Sequence, residues 1–301
     1  MSRKISMAVL GPKGTFSDKA YIEYKKYYKE SINPDDVISP VYCTSIDEVF
    51  EQVCPDEGEP VCELGIVPIE NTLDGYVLRT LDLLHEKDTW ILDENMVEVQ
   101  FSLVANVSTA DEIKRLYVQF KTNGQCRRFI NSLSDVEIIT TESNMDSYYR
   151  IADHKGEAAI VPCHIAMDDK DRFTVHHVTD ADVNFTRFVV FRKAHIHANP
   201  AARLEKRLEE VNYGEDQKIR IPVYIMPNTD RPGILFEILR QFYENQVNLI
   251  SIMSRPTKQE MGTYNFYIEI DGLYGSRKDI IKALTNIQKI NDIKVLGAYV
   301  E

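Results

Sequence analysis

The strongest constraint on the fold is an alternation of short apolar runs with helix-forming segments in the first third of the chain. Residues 5–10 and 63–66 are apolar, and each run predicts a buried strand. Residues 18–28 and 45–53 predict helices, and the second begins with a serine that is followed by glutamate three residues later, as in a capping box. Repeated strand–helix units are typical of a parallel sheet covered by helices. The sequence therefore predicts an α/β fold for this region.

The segment 67–77 follows one of these predicted strands and precedes apolar residues at helical spacing. Glu70, Asn71 and Thr72 therefore fall at the carboxyl end of a strand, where open α/β sheets bind ligands. Asn71 and Thr72 can also cap the following helix and leave backbone N–H groups free for an anion. From this segment alone, a ligand site and a simple helix cap remain equal alternatives.

A second loop with turn chemistry lies at residues 11–17, directly after the first predicted strand. Two glycines and a proline within four residues predict a tight turn. Thr15 or Ser17 then caps a helix whose N-terminus can face an anion. The glycine spacing matches neither a Walker loop nor a dinucleotide-binding fingerprint, so it does not favour nucleotide binding.

Length and charge limit the class of protein. At 301 residues, the chain is long enough for about two domains. The formal net charge of −12 argues against nucleic acid and against an anionic membrane surface as partners. No apolar run reaches the roughly 18 residues that a membrane span needs. We therefore expect neither nucleic acid nor membrane as a partner.

Cysteine and histidine usage bears on location and metal binding. The five cysteines form no CxxC pair, and the first residues lead into a strand-like segment rather than a secretory signal. These features fit reduced thiols, so we expect a cytoplasmic protein. The seven histidines show no metal-ligand spacing with carboxylates. We predict no metal and no cofactor.

The middle of the chain predicts a second α/β lobe, and the chain then returns to the first. We predict lobe one over about 1–95 and 172–193 and lobe two over about 96–171, together a catalytic body over 1–193. Such a body resembles periplasmic binding proteins and holds its ligand in the cleft between lobes. The predicted elements of lobe two are an extended segment 97–105, strands 116–120, 136–141 and 158–162, and helices 124–133 and 144–153. Strand 188–191 would belong to lobe one, with Thr186 near the crossing.

The last part of the chain has a different order of elements. The charged stretch 194–217 predicts a linker with at most a helical turn. After it, the order β-α-β-β-α-β over 218–301 is typical of a ferredoxin-like domain. The predicted elements are strand 219–226, helix 234–245, strands 248–255 and 263–271, helix 278–287 and strand 293–300.

Four motifs, taken together, resemble the prephenate dehydratase family. Residues 11–17 match its Gly-Pro-x-Gly-Thr-Phe-Ser opening, 68–72 its Pro-Ile-Glu-Asn-Ser and 184–188 its Asn-x-Thr-Arg-Phe. Residues 231–235 and 252–256 resemble its ACT domain, an amino-acid-binding regulatory module. The resemblance covers nearly the whole chain, and the motifs occur in the family's order.

The chain departs from the family within the predicted second lobe. Residues 118–126 keep only the final Gln-Cys of the family's Ser-His-Pro-Gln-Ala-x-x-Gln-Cys, so a serine hydroxyl is lost at Val118. Asn144 replaces a hydroxyl of the family's Ser-Thr-Ala. Lys121 is either a substitute cation for the substrate or a surface lysine.

The resemblance implies conversion of prephenate to phenylpyruvate with loss of water and carbon dioxide. Thr186 is the family's candidate for assisting the departing hydroxyl, by donating a hydrogen bond or by positioning. Asn71 and Gln125 can donate to a leaving oxygen without a charge to desolvate. Glu70 either orients Asn71 or donates a proton. Arg187 either forks onto a substrate carboxylate or, by strand alternation, points away into a structural ion pair.

The remaining implied contacts fall into two groups. The substrate would contact Thr15, Phe16, Thr72, Ser143, Asn144, Arg187 and Phe188. L-phenylalanine, the expected allosteric ligand, would contact Pro232, Gly233, Ile234, Leu235, Asn248, Leu249, Met253 and Ser254. The ACT resemblance also implies self-association as a homodimer or homotetramer.

Two other functions remain as alternatives to a phenylalanine-regulated dehydratase. One is a related enzyme that decarboxylates prephenate without making the ring aromatic. The other is a non-enzymatic amino-acid sensor built on a two-lobed body. A sensor has no need for Thr186, Asn71 and Gln125 together, which favours an enzyme.

Overall fold

Strands and helices alternate along the first third of the chain. The computed structural model describes residues 3–151, 154–169, 171–194, 200–210, 218–272 and 276–300. Its first strands are β1 (Lys4–Leu10), β2 (Val37–Cys43), β3 (Leu64–Asn71), β4 (Gly75–Tyr76) and β5 (Thr89–Glu98). The helices between them are α1 (Phe16–Ser31), α2 (Ile46–Val53) and α3 (Leu78–Glu86). The side chain of Thr15 caps α1 by accepting the N–H of Asp18, so of the two predicted caps, Thr15 and Ser17, the first is confirmed.

The middle of the chain forms a second group of elements, after which one strand returns to the first group. The strands are β6 (Phe101–Ala105), β7 (Arg115–Gln119), β8 (Glu137–Thr141), β9 (Glu157–Pro162) and β10 (Phe173–Val175). The helices are α4 (Phe120–Gln125), α5 (Arg127–Ser132), α6 (Asn144–Arg150) and α7 (Cys163–Asp168). The returning strand is β11 (Phe185–Lys193).

The C-terminal elements follow the predicted β-α-β-β-α-β order, preceded by one more helix. They are α8 (Pro200–Glu210), β12 (Ile219–Pro227), α9 (Ile234–Glu244), β13 (Asn248–Pro256), β14 (Tyr264–Asp271), α10 (Arg277–Gln288), β15 (Asn291–Val295) and β16 (Tyr299–Val300). The predicted last strand, 293–300, is therefore divided in two, and β16 pairs with β12.

Three sheets organise these strands. The first has the order β2-β1-β3-β11-β5, with β4 on β3, and β11 runs antiparallel to both of its neighbours. The second has the order β10-β6-β9-β7-β8. The third has the order β13-β14-β12-β15 and is antiparallel. The chain thus forms a mixed α/β structure in which the first sheet, lobe one, is completed by the late strand β11, and the second sheet forms lobe two.

The third sheet packs directly on lobe one. Its residues Tyr224, Tyr267 and Tyr299 are buried in one cluster with Val67 and Val189 of the first sheet. The opposite face of the third sheet forms a separate core with α8, α9 and α10. This C-terminal domain therefore has one face bound to its own helices and the other to lobe one.

Several further predictions about the elements are wrong. Residues 97–105 are not one segment, because β5 ends at Glu98 in lobe one and β6 begins at Phe101 in lobe two. Both pieces are apolar and extended, so the hydrophobic pattern alone does not reveal a change of sheet. The predicted helix 124–133 is two short helices that meet at Cys126, whose backbone is not helical.

The third wrong prediction concerns Asn71 and Thr72, which do not cap a helix. Asn71 ends β3, β4 follows, and α3 begins only at Leu78 with no side-chain cap. In the fourth, Glu48 does not complete a capping box. It accepts from the N–H of Thr44 rather than of Ser45, although Ser45 does cap α2.

The stretch 194–217 is more ordered than a linker with a helical turn. The helix α8 spans 11 residues of it, and its Leu204 and Leu208 are buried in the C-terminal core. Because these leucines are the only large apolar residues of α8, the sequence pattern was too sparse to predict the helix. The remainder of the linker at 195–199 and 211–217, and the end of the helix predicted over 144–153, lie outside the described residues.

Candidate active site

The ends of β3 and β11 meet where the sequence predicted a ligand site. The two strands pair in a register that sets Asn71 opposite Thr186. The backbone N–H of Thr72 donates to the carbonyl of Phe185 at 2.9 Å, and the Thr72 hydroxyl oxygen accepts the N–H of Phe185 at 3.0 Å. Thr72 therefore fastens the two strands together beside the candidate catalytic pair.

The side chain of Asn71 has a fixed orientation. Its Oδ1 accepts the backbone N–H groups of Leu73 and Asp74 at 2.9 and 3.1 Å. Since these donors hold the carbonyl end, the NH₂ end must face β11. There Nδ2 lies 3.0 Å from Thr186 Oγ1 and 3.1 Å from the carbonyl oxygen of Phe185.

This orientation determines how the Thr186 hydroxyl can act. Because Asn71 donates to Thr186 Oγ1, the hydroxyl serves as the acceptor in that bond. Its own hydrogen is not used by Asn71 and can be donated to a ligand in the cleft. An N–H bond to Oγ1 also stabilises negative charge on that oxygen, which makes Thr186 a better donor.

Asn184 belongs to the same network, although the sequence analysis did not select it. Its Oδ1 accepts from Asn71 Nδ2 at 2.9 Å, and its side chain is 0% exposed. Its own Nδ2 has no partner among the described residues. The only sequence signal was its place at the start of the motif that contains Thr186. We interpret Asn184 as a positioning residue for Asn71.

Glu70 and Arg187 form an ion pair on the other face of the same strands. Arg187 donates to Glu70 at 2.8 Å and does not approach Thr186, as the alternation along β11 requires. It also contacts Glu94 of β5 at 3.2 Å and Glu269 of β14 at 2.8 Å. The geometry thus favours the structural ion pair over the substrate fork.

This charged cluster is buried. Arg187 is 4% exposed and Glu269 is 0% exposed. Burial opposes the charge on Arg187, but the surrounding acidic groups, Glu269 first among them, together outweigh burial and raise the pKa of Arg187 above its ordinary value. Burial likewise opposes the charge on Glu269, but Arg187 and Arg220 lower the pKa of Glu269. Arg187 and Glu269 are therefore both ionised at neutral pH.

An open cavity of about 610 Å³ lies between Asp74 of lobe one and the start of lobe two. Asn71 and Thr186 are not among its lining residues, but the N–H of Asp74 donates to Asn71 Oδ1. Asp74 of lobe one and Gln125 at the end of α4 both line the cavity, as do Phe120, Lys121 and Arg127. The backbone carbonyl of Gln125 accepts the N–H of Asp180 at 2.7 Å, which ties the end of α4 to the segment before β11. Lobe two thus brings an amide and two cations to the cleft.

Ser143 and Asn144 lie at the start of α6. Ser143 caps this helix by accepting the N–H of Asp146 at 3.0 Å. Asn144 Oδ1 accepts the hydroxyl of Thr122 in α4 at 2.8 Å. Both side chains therefore support the two short helices of lobe two, and neither lines the cavity in the described structure.

Phe16 joins the two lobes, whereas Phe188 does not reach the cleft. The Phe16 ring packs edge-on against Phe101 of β6, with centroids 5.3 Å apart, and against His164 of α7. Thr15 donates its hydroxyl to the carbonyl of Pro12 at 2.9 Å. Phe188 is buried in the core of lobe one under α1.

Comparison with known proteins identifies the family. The profile of the prephenate dehydratase family matches residues 7–196, and that of the ACT domain matches residues 228–273. The chain belongs to the prephenate dehydratase family. It is 30% identical to the prephenate dehydratase of Methanocaldococcus jannaschii, over 96% of this chain and 95% of that protein.

Further relatives support the whole-chain match. The chain is 27% identical to the bifunctional chorismate mutase/prephenate dehydratase of Aquifex aeolicus, over 99% of this chain and 74% of that protein. Its structure resembles that of the prephenate dehydratase of Arthrobacter aurescens in complex with L-Phe, with a TM-score of 0.76 and 27% identity. That comparison covers 99% of this chain and 90% of the other.

The ACT domain carries the predicted effector segment at the start of α9. Gly233 adopts φ = 88°, a left-handed conformation that favours glycine, and it is the N-terminal cap residue of α9. An added Cβ would contact nothing within 4 Å, so the space beside Gly233 is open. Pro232 precedes this open position, and Ile234 and Leu235 pack against the ACT core.

The predicted effector residues on β13 lie on two faces of the strand. A register shift between Leu249 and Ser251 separates them. Leu249 packs against the ACT core, whereas Met253 packs against lobe one. Asn248 donates to Asp271 at 3.3 Å, and Ser254 is exposed.

Metal sites and membrane-spanning helices can be judged only for the part of the chain that the structure describes. Within it, no cluster of three His, Cys, Asp or Glu side chains is arranged to hold a metal ion. No helix there is both long and apolar enough to cross a membrane.

Proposed function

We propose that this protein is a prephenate dehydratase that is regulated by L-phenylalanine. The observation that supports the catalytic part is the fixed pairing of Asn71 with Thr186 across the ends of β3 and β11. This pairing leaves a polarised hydroxyl with a hydrogen to donate, and Asn71 also binds the N–H of Asp74, a residue that lines the interlobe cavity. The reaction needs such a donor where the C4 hydroxyl of prephenate departs.

The proposed reaction is a coupled elimination. The bond from the ring to its carboxylate breaks, and its electron pair enters the ring as carbon dioxide leaves. The C4–oxygen bond breaks at the same time, and the oxygen departs as hydroxide, which takes a proton from solvent to become water. Thr186 donates the hydrogen bond to this oxygen, and Asn71 holds Thr186 in place. Aromatisation supplies the driving force, so positioning and neutral donors suffice.

The two lobes have different proposed roles. Gln125 of α4 donates to the substrate from the opposite side of the cleft without a charge to desolvate. Lys121 and Arg127 line the same cavity and would attract the two carboxylates of the substrate. Thr15 and Phe16 would position the substrate at the junction of the lobes, while Thr72, Ser143, Asn144 and Glu70 support the elements that carry the donors.

The test is incubation of the purified protein with prephenate and identification of the products. We expect phenylpyruvate together with carbon dioxide. A decarboxylated product without an aromatic ring would instead identify the related decarboxylase. Specific binding of phenylalanine with no turnover of prephenate would identify a sensor. No cofactor or metal should be needed, so activity should persist after treatment with a chelator.

L-phenylalanine is the proposed effector, and the open space at Gly233 is its proposed site. The ligand carboxylate would meet the N-terminal N–H groups of α9, and β13 would contact its ammonium and ring. The relative from Arthrobacter aurescens crystallised with L-Phe supports this choice of ligand. Calorimetry and rate measurements on the wild type and on Gly233→Val test it. Valine at φ = 88° is strained, so Gly233→Asn, which tolerates this backbone, serves as the folding control.

We also propose self-association through the ACT domain, as at least a dimer. The strand β13 is an edge of its sheet, and its Ile250 and Ile252 are exposed. Phe236 and Tyr243 of α9 are also exposed. An apolar surface next to an open strand edge fits a second copy of the chain. Light scattering of the wild type and of Tyr243→Glu tests this proposal, and a monomeric wild type would reject it.

The proposed location is the cytoplasm. The five cysteines are free thiols within the described structure, and all five are buried. Free thiols persist in reducing compartments.

A further inference from the structure

The interface between the ACT domain and lobe one includes a buried cluster of charges next to the candidate catalytic pair. Its centre is Arg187, which contacts Glu70, Glu94 and Glu269. Arg220 of β12 joins the cluster through Glu94 at 3.3 Å and through Glu269. Two of these five residues, Arg220 and Glu269, come from the ACT domain, and three from lobe one.

The cluster connects the two strands that carry the candidate catalytic pair. Arg187 directly follows Thr186 in β11, and Glu70 directly precedes Asn71 in β3. The Arg187–Glu70 pair therefore joins the two strands one residue away from the Asn71–Thr186 hydrogen bond. Arg187 and Thr186 are thus adjacent residues of one backbone, and each contacts a residue of β3.

The ion-pairing residue Arg187 and the proposed donor Thr186 lie on opposite faces of β11. Val189 and Phe191 belong to the core shared with the ACT sheet, whereas Phe188 and Val190 belong to the core under α1. By alternation, Arg187 lies on the ACT side and Thr186 on the other side. The strand thus connects the ACT domain with the cleft within two consecutive residues.

Glu269 is an ACT residue that binds Arg187 of this strand directly. It is 0% exposed and accepts from Arg187 and, through Oε1, from the Tyr267 hydroxyl at 2.6 Å. Tyr267 and Arg220 also donate hydrogen bonds to the Glu269 carboxylate, so its position does not depend on Arg187 alone. The ACT sheet therefore supplies one of the three carboxylates that hold Arg187, and this carboxylate is itself fixed.

We propose that Glu269 is a positioning residue for catalysis, which holds Thr186 and Asn71 in register through Arg187 and Glu70. The inference rests on the proposed dehydratase activity. It also assigns a route for regulation, because any displacement of the ACT sheet by an effector would reach the catalytic pair through this cluster. The ACT domain would then be part of the catalytic machinery even without an effector.

The experiment compares two interdomain ion pairs in the full-length protein. Glu269→Gln removes the charge that faces Arg187, whereas the matched control Asp82→Asn removes the charge that faces Arg255 of β13. The Asp82–Arg255 pair is also largely buried and also joins lobe one to the ACT domain, with an N–O distance of 2.8 Å, but it contacts neither β11 nor β3. Tyr267→Phe is the milder variant, since it removes only one hydrogen bond to Glu269.

The expected kinetic result is a selective loss of turnover. Glu269→Gln should lower kcat about 10-fold with KM changed less than about 3-fold, because the substrate contacts remain while the donor is misplaced. Asp82→Asn should keep kcat within about 2-fold of the wild type. Tyr267→Phe should lower kcat in the same direction but less, which keeps the test decisive if Glu269→Gln fails to fold.

A second measurement does not depend on turnover. Without substrate, hydrogen–deuterium exchange of the peptides that cover residues 69–73 and 184–188 should rise in Glu269→Gln and not in Asp82→Asn. This rise without any dehydratase activity in the wild type would reject the proposed function but retain the coupling. Unchanged exchange together with unchanged kcat in folded Glu269→Gln and Tyr267→Phe would overturn the inference. An equal loss of kcat in Asp82→Asn would also overturn it, because any weakened interface would then suffice.

Discussion

The two sides of the cleft differ in how firmly they hold their functional groups. On lobe one, the Asn71 and Thr186 side chains are joined to each other, and Asn71 is fixed by two backbone N–H groups. On lobe two, Gln125 ends a helix of six residues, and Phe120 beside it is 75% exposed. The proposed donor hydroxyl is therefore preorganised by a sheet, whereas lobe two offers a less constrained surface.

The physical cause of this difference is the position of each group in its lobe. Strand pairing fixes Thr186 opposite Asn71 by backbone hydrogen bonds, and no side chain has to find its partner by itself. The helix α4 is short, and Gln119 caps it by accepting the N–H groups of Lys121 and Thr122. A short helix is marginal by itself and depends on its neighbours for its position. Lobe one should therefore dominate turnover, and lobe two should contribute less to it.

The largest effect should follow removal of the Thr186 hydroxyl. We expect Thr186→Val to lower kcat by about 10²-fold to 10³-fold, because it removes a donor used in the transition state. The free energy of unfolding should change by no more than about 1 kcal/mol, since the side chain is only partly buried. Thr186→Ser, which keeps a hydroxyl, is the matched control and should retain most of the activity. A large loss of stability with normal activity per folded molecule would return Thr186 to a purely structural role.

The next effect should come from lobe two. We expect Gln125→Ala to lower kcat about 10-fold, equivalent to roughly 1.4 kcal/mol of transition-state stabilisation. Asn123→Ala is a suitable control, since it truncates another amide that lines the same cavity. Steady-state kinetics at saturating prephenate measure the difference. Identical kinetics of wild type and Gln125→Ala would mean that lobe one alone holds the chemistry.

The sequence predicted the strand-end site but not the partners that complete it. Turn chemistry at a strand end is a local signal and indicates Asn71, whereas Thr186 follows from the resemblance to the family's motif at 184–188. The partners of Arg187 were not predicted, because Glu269 lies 82 residues away and only tertiary packing brings it to β11. Asn184 was missed for the same reason, since its contact with Asn71 spans 113 residues. The early start of α4 was missed because a glutamine side chain, rather than serine or aspartate, caps it.

A smaller effect should distinguish the two interpretations of Lys121. If this lysine attracts a substrate carboxylate, Lys121→Ala should raise KM about 3-fold with little change in kcat, as expected for an exposed charge worth up to about 1 kcal/mol. The effect should shrink at high salt, because exposed charges are screened. Lys26→Ala on α1, away from the cleft, is the control. A KM that matches the wild type at low salt would assign Lys121 to the surface.

The smallest effect concerns the contact that joins the lobes. His164 of α7 lies 3.0 Å through Nε2 from the carbonyl oxygen of Gly14, so Nε2 must carry the hydrogen. Burial lowers the pKa of His164 below its ordinary value. Above the ordinary pKa of histidine, about 6.5, both folded and unfolded forms are neutral, and the group has no effect on stability. As the pH falls through that value, the unfolded chain binds the proton more readily than the folded protein, so stability falls. Thermal unfolding of wild type and His164→Gln between pH 7.5 and pH 5 should therefore show a weaker pH dependence in the variant, while His154→Gln, an exposed control, should behave as the wild type. Parallel curves for wild type and His164→Gln would show that this histidine does not contribute to the pH dependence of stability, and the contact between the lobes would then rest on packing such as that of Phe16 on Phe101.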